Sequence, residues 1–458
     1  MSPTENPPEP QPQHPEPAWL SRALRPVTEV HHGEAVTVLL MTTNVFLMLS
    51  AYYVIKPVRE ALILAMGSGA EYKSYMSGAI ALLLFLLVPP YGKLVDSMSR
   101  IKLVTVVSLA FAGQLLLFYA AMRSPNLREH LGLIFYAWVG VFNVMVVAQF
   151  WAYANDIYQK EQGDRLFPMI ALGASVGAAV GSKGAEALIK RLGVEPMPLV
   201  AAFLLVICAL LFWLVERRES TAKRQPKNEA KSGDESPVGG FGLVLRYRYL
   251  ALIALFSLVY NWVNSNGEYM LSKLIKADAA AAVARGQVSA QHVGDLIGAA
   301  YADFFFYVNL AGVLLQMFVV SRLVKWLKLS KAFLFLPVLA LGNAAVVAFI
   351  PIVALVKAGK TAENATDYSL NNTLRQMLWL VTSPQMKYKA KQVVDTFCVR
   401  IGDVCSALSV YLTVDVLHFS VQRFAWISLL LGGIWLTLAV AIGRRYHELE
   451  QKNEKLGA

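Results

Sequence analysis

The chain has 458 residues, of which 56% are hydrophobic and only 16% are charged, and its formal net charge is +11. A soluble domain carries about a quarter charged residues, so this composition excludes an ordinary water-soluble protein and indicates an integral membrane protein. The positive charge is compatible with nucleic-acid binding, but Lys and Arg also gather in the cytoplasmic loops of membrane proteins. Cys208, Cys398 and Cys405 show no metal-ligand spacing and are expected to be small core residues.

Ten stretches that lack charged and His side chains predict transmembrane helices. They are 17 to 25 residues long, and a helix needs about 20 residues to cross the hydrocarbon core. In chain order they are 35–55, 74–92, 103–122, 131–155, 166–182, 196–215, 249–267, 304–321, 332–356 and 424–443. Two further apolar stretches, 365–383 and 391–415, are interrupted by Asp and Arg residues and bring the prediction to about twelve spans.

The spans fall into two groups of six, which predicts an all-α integral membrane protein of two six-helix bundles, 35–215 and 248–443. A charged, flexible linker at 216–247 joins them, after a disordered proline-rich tail at 1–34 and before a second tail at 444–458. This layout is typical of major-facilitator-type transporters, whose substrate site lies at the midplane between the halves. With the N-terminus inside, the inner loops hold 20 Lys and Arg against 12 in the outer loops, so both tails are expected to be cytoplasmic in a plasma (bacterial inner) membrane.

The most informative feature of the first span is a pair of ionisable side chains, Lys56 and Arg59, directly after its charge-free window. The sequence stays apolar after Lys56 and Arg59, so they interrupt the helix, unless it stops at Ile55 and leaves both at the outer interface. A spacing of three places the two cations on one face with Tyr52 one turn earlier, and Pro57 predicts a kink. Charges within a span usually face a cavity, where such cations can contact an anionic substrate and Tyr52 a planar group.

A polar stripe follows one face of the seventh span. It consists of Asn261, Asn264, Ser265, Glu268 and Ser272. Such a stripe in an apolar helix lines water or substrate, or forms a polar seam with another helix. Both interpretations remain open from the sequence.

The tenth and eleventh spans carry further polar groups. Tyr368, Asn371 or Asn372, Arg375 and Trp379 are predicted to share one side of the tenth span. In the eleventh, Arg400 and Asp403 are three residues apart and can neutralise each other. Asp395 has only Lys391, four residues earlier, as an intrahelical partner.

Two short motifs concern loops and packing. Gly92, Asp96 and Arg100 follow the second span at positions that resemble the inter-helix motif of major-facilitator proteins, and a basic stretch at 321–331 is a weaker echo that chance can also produce. Asp96 can pair with basic groups and cap a helix N-terminus. The small-xxx-small repeat Gly173–Gly181 predicts close helix packing rather than a phosphate-binding loop.

Four groups of residues occur in an order that is similar to one transporter family. They are Tyr52–Glu60; Phe150–Ile157 with Arg165–Pro168 and Gly173; Tyr260–Glu268 with Lys273; and Tyr368–Leu370 with Lys387–Asp395 and Arg400–Gly402. Together they resemble the ATP:ADP antiporter (nucleotide transporter) family of plastids and obligate intracellular bacteria. The resemblance runs from about residue 36 to residue 443. It implies a major-facilitator-type fold and nucleotide exchange, with Arg59 and Lys56, Lys391 and Glu268 at positions implicated in transport.

The sequence therefore predicts a multi-pass transporter, not an enzyme, that exchanges nucleotides or another phosphorylated anion by alternating access. The predicted substrate-binding residues are Tyr52, Lys56, Arg59, Asn264, Glu268, Arg375 and Lys391, and the predicted gating or salt-bridge residues are Asp96, Arg100, Asp395, Arg400 and Asp403. Lys56, Arg59 and Arg375 would neutralise phosphates. Lys391 would guard the cytoplasmic mouth, and Glu268 would pair with cations in the empty site.

The expected partners are the lipid bilayer and a small anionic substrate, without a cofactor, a metal or a nucleic acid. Two alternatives stay open. One is a proton-coupled transporter of another small solute, with Glu268 or Asp395 as the proton carrier. The other is a membrane-embedded signalling or scaffold protein that transports nothing.

Overall fold

The computed structural model describes residues 28–31, 33–219 and 237–451, and this part of the chain contains helices and no strand. The first half forms six long helices. They are α1 (Ala35–Leu64), α2 (Gly69–Ser97), α3 (Arg100–Met122), α4 (Pro125–Ile157), α5 (Lys160–Leu192) and α6 (Met197–Glu219). The charge-free windows of the sequence are shorter than these helices, since helices continue beyond the hydrocarbon core into charged residues.

The second half contains more breaks. Its α-helices are α7 (Pro237–Arg246), α8 (Arg248–Ala284), α9 (Val293–Phe318), α10 (Val320–Ala332), α11 (Phe335–Phe349), α12 (Val353–Thr366), α13 (Asn372–Met377), α14 (Pro384–Val393), α15 (Val399–Val410) and α16 (Val421–Gln451). Turns of π-helix at Asp367–Asn371, Val394–Cys398 and Tyr411–Val416 interrupt the tenth and eleventh passes. Such turns are often found at functional sites.

The described helices account for the twelve predicted passes. Eight helices are long and apolar enough to cross a membrane, and ten passes result if each of two bent pairs is one span. The pairs are α7–α8, bent by 104°, and α10–α11, bent by 72°. Helix α2 and the segment formed by α12 and α13 lie at the two remaining predicted spans without meeting that test, and the predicted all-helical fold class is confirmed.

The tail and linker predictions fall partly outside the described residues. Residues 1–27 and 220–236 belong to that undescribed part. The end of the predicted tail is packed, because Val30 is buried and Arg165 of α5 donates a hydrogen bond to the Glu29 carbonyl at 2.6 Å. The end of the predicted linker forms the short helix α7, which lies against α14 through Gly240.

The small-residue repeat of α5 packs directly on α1, as its spacing predicted. A Cβ atom added to Gly177 would lie 2.3 Å from the Phe46 carbonyl oxygen, and one added to Gly181 would lie 2.6 Å from the Ser50 Cα. These are backbone contacts of the neighbouring helix, so only glycine permits this approach. The prediction of close packing is confirmed.

Substituting Gly177→Ala should therefore separate α1 from α5. We expect a loss of about 1–3 kcal/mol in the free energy of unfolding, seen as a lower melting temperature in detergent. Gly184→Ala is the matched control, because a Cβ there would meet nothing within 4 Å. Equal melting temperatures for the two variants would contradict this account of the α1–α5 contact.

Among the described residues, the apolar core that the two halves share lies toward one end of the molecule. This is the end where α1 finishes and α2 begins, and we call it the closed end. From Tyr269 onward, α8 belongs to the same buried cluster as α1–α6, together with the first part of α9. The beginning of α8, at 249–263, belongs to a separate core of the second half. The apolar packing therefore joins the halves from the middle of α8 to the closed end.

Candidate functional site

Charged side chains from both halves meet at a cavity of about 180 Å³ in the middle of the bundle. Its ionisable lining residues, apart from tyrosines, are Lys56, Arg59, Glu60, Lys73, Glu268 and Asp367. The lining also includes amide and hydroxyl groups, among them Asn264 and Asn364. Three cations and three acids thus face one small polar space inside otherwise apolar helices.

Glu60 is the centre of the charge network on the first half. Its side chain is 1% exposed. Its carboxylate forms ion pairs with the Arg59 guanidinium at 2.5 Å and with the Lys73 ammonium at 2.8 Å. Arg59 also stacks on the Tyr136 ring, 4.4 Å from the ring centroid. Breaking a buried ion pair by removing one partner costs about 3–5 kcal/mol, so this cluster is expected to stay intact in the empty protein.

Lys73 extends the network from α2 to the second half. Its ammonium lies 3.6 Å from a Glu268 carboxylate oxygen and donates hydrogen bonds to the Ser272 hydroxyl at 3.0 Å and the Tyr301 hydroxyl at 3.4 Å. Lys73 is therefore held by an acid of α1 and by polar groups of α8 and α9. If the two halves separate at this level, the contacts of Lys73 with α8 and α9 must break.

A second lysine, Lys360 of α12, supports the α8 side of the cavity. It is fully buried and donates to the Asn264 side-chain oxygen at 2.9 Å, and it pairs with Glu363 at 3.1 Å. Gly267 leaves it room, since a Cβ there would lie 2.9 Å from the Lys360 ammonium. Asn364, one turn later, donates to Glu268 at 3.0 Å. The polar stripe of α8 therefore serves both as a cavity wall and as a seam with α12.

Lys56 differs from the other cations of the cavity. It is only 9% exposed, and its ammonium lies over the rings of Phe305 at 4.0 Å, Tyr53 at 5.0 Å and Tyr52 at 5.7 Å. Within the described part of the chain, no carboxylate lies within 4.0 Å of it and it makes no hydrogen bond. Aromatic faces attract a cation but do not neutralise it. Helix α1 continues to Leu64, eight residues or about 12 Å further, so Lys56 lies within the helix and not at its end.

Asp367 is the acid of the cavity that has no ion pair. It begins the π-helical turn Asp367–Asn371. Its two carboxylate oxygens accept hydrogen bonds from the Tyr260 hydroxyl at 2.5 Å and the Asn371 amide at 2.7 Å. No Lys, Arg or His of the described residues lies within 4.0 Å of this carboxylate.

Four of the seven predicted substrate-binding residues line the cavity: Lys56, Arg59, Asn264 and Glu268. Tyr52 lies behind them, with its ring near the Lys56 ammonium. Arg375 does not line the cavity and pairs instead with Asp395 at 2.9 Å. Lys391 contacts the Gln376 side chain at 2.5 Å. Tyr368 lines the cavity, whereas Arg375 lies about two helical turns further along the pass, where its guanidinium is 5.5 Å from the Tyr260 ring centroid.

Four of the five predicted salt-bridge or gating residues, Arg100, Asp395, Arg400 and Asp403, form pairs that stay within one half. Arg400 and Asp403 lie 3.3 Å apart on α15, as their spacing suggested, and Asp403 also accepts hydrogen bonds from Asn261 and Ser265 of α8. Arg100 pairs with Asp156 at 3.2 Å. The Asp96 side chain is outside the described residues. A gating role for this group remains a prediction.

Apart from those of Glu268 and Ser272 with Lys73, the contacts that join the halves were missed by the sequence analysis. At the closed end, Glu71 of α2 pairs with Lys273 of α8, and Tyr269 donates to Glu71 at 3.3 Å. Lys276 donates to the carbonyls of Met66 and Gly67, just after α1. We call Glu71, Lys273 and Lys276 the outer latch.

Further polar contacts agree with this arrangement. Tyr75 contacts Asp415, and the Val194 amide donates to Asp295 at 2.8 Å. Between described residues, every hydrogen bond and ion pair that joins the halves lies from the middle of the bundle to the closed end. Among those residues, the opposite end has no such contact.

Metal chemistry has no candidate site in the described ranges. No group of three His, Cys, Asp or Glu side chains stands close enough there to hold a metal ion. The cavity instead offers cations, carboxylates, amides and hydroxyls, which are suited to binding a polar solute.

Comparison with known proteins adds a family and a fold. The family model described as Major Facilitator Superfamily matches residues 38–384. No curated protein shows significant sequence similarity to the chain. Among solved structures, a bacterial homologue of the human lysosomal transporter Spinster, inward-facing and unoccupied, has a TM-score of 0.59 at 13% identity and covers 93% of this chain and 99% of its own.

Two further structures show the same fold similarity. The nucleoside transporter NupG has a TM-score of 0.57 at 12% identity, over 89% of this chain and 98% of its own. A bacterial homologue of the iron transporter ferroportin has a TM-score of 0.58 at 15% identity, over 89% of this chain and 98% of its own. At such identities the similarity concerns the fold alone.

Proposed function

The chain belongs to the Major Facilitator Superfamily and is a membrane transporter, and from this we propose that it moves a small anionic solute by alternating access through the central cavity. The bilayer is its environment, and the two bundles are the parts that move relative to each other. The cavity between them is the place where a solute can be reached from one side at a time.

Lys56 is the observation on which the proposal of an anion rests. A buried ammonium without a carboxylate partner is costly, and a negatively charged ligand removes that cost. Arg59 and Lys73, in contrast, already have Glu60 as a partner. Among the described residues, Lys56 is thus the basic side chain of the cavity that has no carboxylate partner, and an anionic ligand can supply one.

The finer proposal is exchange of nucleotides such as ATP and ADP. It is supported by the resemblance to the antiporter family and by the meeting of Lys56, Arg59 and Glu268, three of its matching positions, at one cavity. The cavity of about 180 Å³ is smaller than the roughly 300–1,000 Å³ of common ligand pockets, so a nucleotide requires it to widen. In the empty transporter Glu268 would pair with Lys73, and bound substrate would replace this contact.

The charge bias of the loops supplies the orientation. It supports an orientation with the closed end outside and the open end in the cytoplasm, and we keep the plasma (bacterial inner) membrane as the proposed location. The described conformation is then inward-facing, with the outer latch closed. Lys391, on α14 toward the open end, stays a candidate for guarding the cytoplasmic mouth.

Proton coupling is the second candidate, and Asp367 is the residue that favours it. This carboxylate lines the cavity without a basic partner, whereas Asp395 is paired with Arg375 away from the cavity and Glu268 lies near Lys73. A cavity acid that lacks a cation is the group best placed to take up a proton.

Uptake into proteoliposomes tests the proposal and separates its two versions. We expect radiolabelled ATP to enter vesicles preloaded with ADP, and entry to fall to the level of protein-free vesicles when ADP is omitted. An uptake rate that does not depend on internal ADP but is abolished by an uncoupler would favour proton coupling. If neither ATP nor any other anion enters, although the protein is correctly inserted, the proposal of an anion transporter fails.

A further inference from the structure

The charges of the cavity can be divided into a paired group and an unpaired group. Arg59, Lys73, Glu60 and Glu268 form a continuous network of two cations and two acids, with contacts of 2.5, 2.8 and 3.6 Å. Within this network the formal charges balance. Lys56 and Asp367 are left over, and they have opposite signs.

Neither leftover charge is satisfied by the protein. Lys56 has only aromatic faces around its ammonium. Asp367 accepts one neutral hydrogen bond at each carboxylate oxygen, from Tyr260 and Asn371. A carboxylate has about four acceptor sites, so each oxygen can accept a further donor. The two groups do not pair with each other, because they are more than 4.0 Å apart in a cavity that both line.

We propose that the transported solute is bipolar: its acidic group pairs with Lys56 and an amino group of the same molecule pairs with Asp367. The inference rests on the proposed function, because it assumes that the central cavity is the substrate site. It adds a second recognition point of opposite charge. A simple anion would satisfy Lys56 and leave the Asp367 carboxylate uncompensated.

The local structure is suited to such a role for Asp367. The π-helical turn that begins at Asp367 departs from regular helix in the middle of the pass, and Tyr368 beside it lines the same cavity. Tyr260 and Asn371 hold both carboxylate oxygens in fixed positions. At its volume of about 180 Å³ the cavity accommodates a compact bipolar solute, such as a small amino acid or an aminoalkyl phosphate, without the widening that a nucleotide requires.

Matched pairs of acids that differ in one amino group test the inference. The pairs are alanine and propionate, aspartate and succinate, and phosphoethanolamine and ethyl phosphate. Binding to the purified full-length protein is measured by calorimetry or by thermal stabilisation. In the wild type we expect the amino member of at least one pair to bind about tenfold or more tightly, the range of a hydrogen bond to a charged group.

Variants at one position assign that preference to Asp367. Asp367→Asn should reduce the preference to less than about threefold, while the acid without an amino group binds as in the wild type. Asp367→Glu retains the charge and should retain the preference. It keeps the inference testable if the Asn variant fails to fold. Asp303→Asn is the control, because Asp303 pairs with Lys357 and does not line the cavity.

The possible outcomes separate this inference from the proposed function. Equal binding of both members of every pair, or a preference that survives in Asp367→Asn, overturns the bipolar solute and leaves an anion transporter. If none of these acids and no nucleotide binds the wild type, both the bipolar solute and the proposed anion site are wrong. A preference that depends on Asp367 supports the inference.

Discussion

Replacing Lys56 by Gln should lower uptake of the anionic substrate by about 100-fold or more at low substrate concentration. Truncating one member of a buried, hydrogen-bonded charge pair costs about 2–5 kcal/mol, and in the loaded transporter Lys56 would have the substrate as its partner. The empty protein should not lose stability, since this ammonium has no acid partner there to leave behind. Initial uptake rates in proteoliposomes, with melting temperatures in detergent, measure both effects.

A matched substitution controls for the loss of a positive charge. Lys183→Gln removes a cation that is half exposed and already paired with Glu186 at 2.7 Å, so uptake should stay near the wild-type rate. Lys56→Arg should retain part of the activity because it retains the charge. Undiminished uptake in Lys56→Gln would show that the unpaired cation is not the anion site.

Reversing the charge of Glu71 should open the closed end. In Glu71→Lys, the ion pair between the buried Glu71 and the partly exposed Lys273 becomes a like-charge contact, and loss of a buried pair costs up to about 3–5 kcal/mol. Conformational states of one protein commonly differ by a few kcal/mol, so the change is large enough to reverse the preferred state. Spin labels at the exposed Ser68 and Gln287, which belong to different halves, should move to longer distances.

The double exchange Glu71→Lys with Lys273→Glu is the control for this prediction. It restores opposite charges across the same contact and should return the spin-label distances toward those of the wild type. Lengthened distances that persist in the double exchange would mean that the outer latch does not depend on this pair. Distances unchanged in the single variant would mean that apolar packing alone closes this end.

The sequence was sufficient to predict the fold because transmembrane helices can be recognised from the local sequence alone. Long charge-free windows, a charged central linker and a small-residue repeat each depend on local sequence, and the helices and the α1–α5 contact follow them. Lys56, Arg59 and Glu268 could also be identified, since a charge inside an apolar window is visible without any knowledge of neighbours.

The rest of the candidate site required three-dimensional information. Lys73 and Lys360 lie just outside the charge-free windows that defined the spans, so they looked like loop residues, yet both are buried within helices. Arg375 looked like a cavity residue because its spacing from Tyr368 places both on one side of a helix, but it lies about two turns further along the pass and pairs with Asp395. Ion pairs such as Arg375–Asp395 and Glu71–Lys273 join distant segments, and no spacing rule in the sequence reveals them.

Alternating exposure of the central cavity can be measured with one engineered thiol. Ser74 lines the cavity and is 7% exposed, and Ser74→Cys in a chain without Cys208, Cys398 and Cys405 gives a single reactive site. A membrane-impermeant maleimide should label this thiol when applied from either side of the membrane, and bound substrate should slow the labelling. Labelling from one side only under all conditions, or no effect of any transported anion, would contradict a substrate cavity shared by two moving halves.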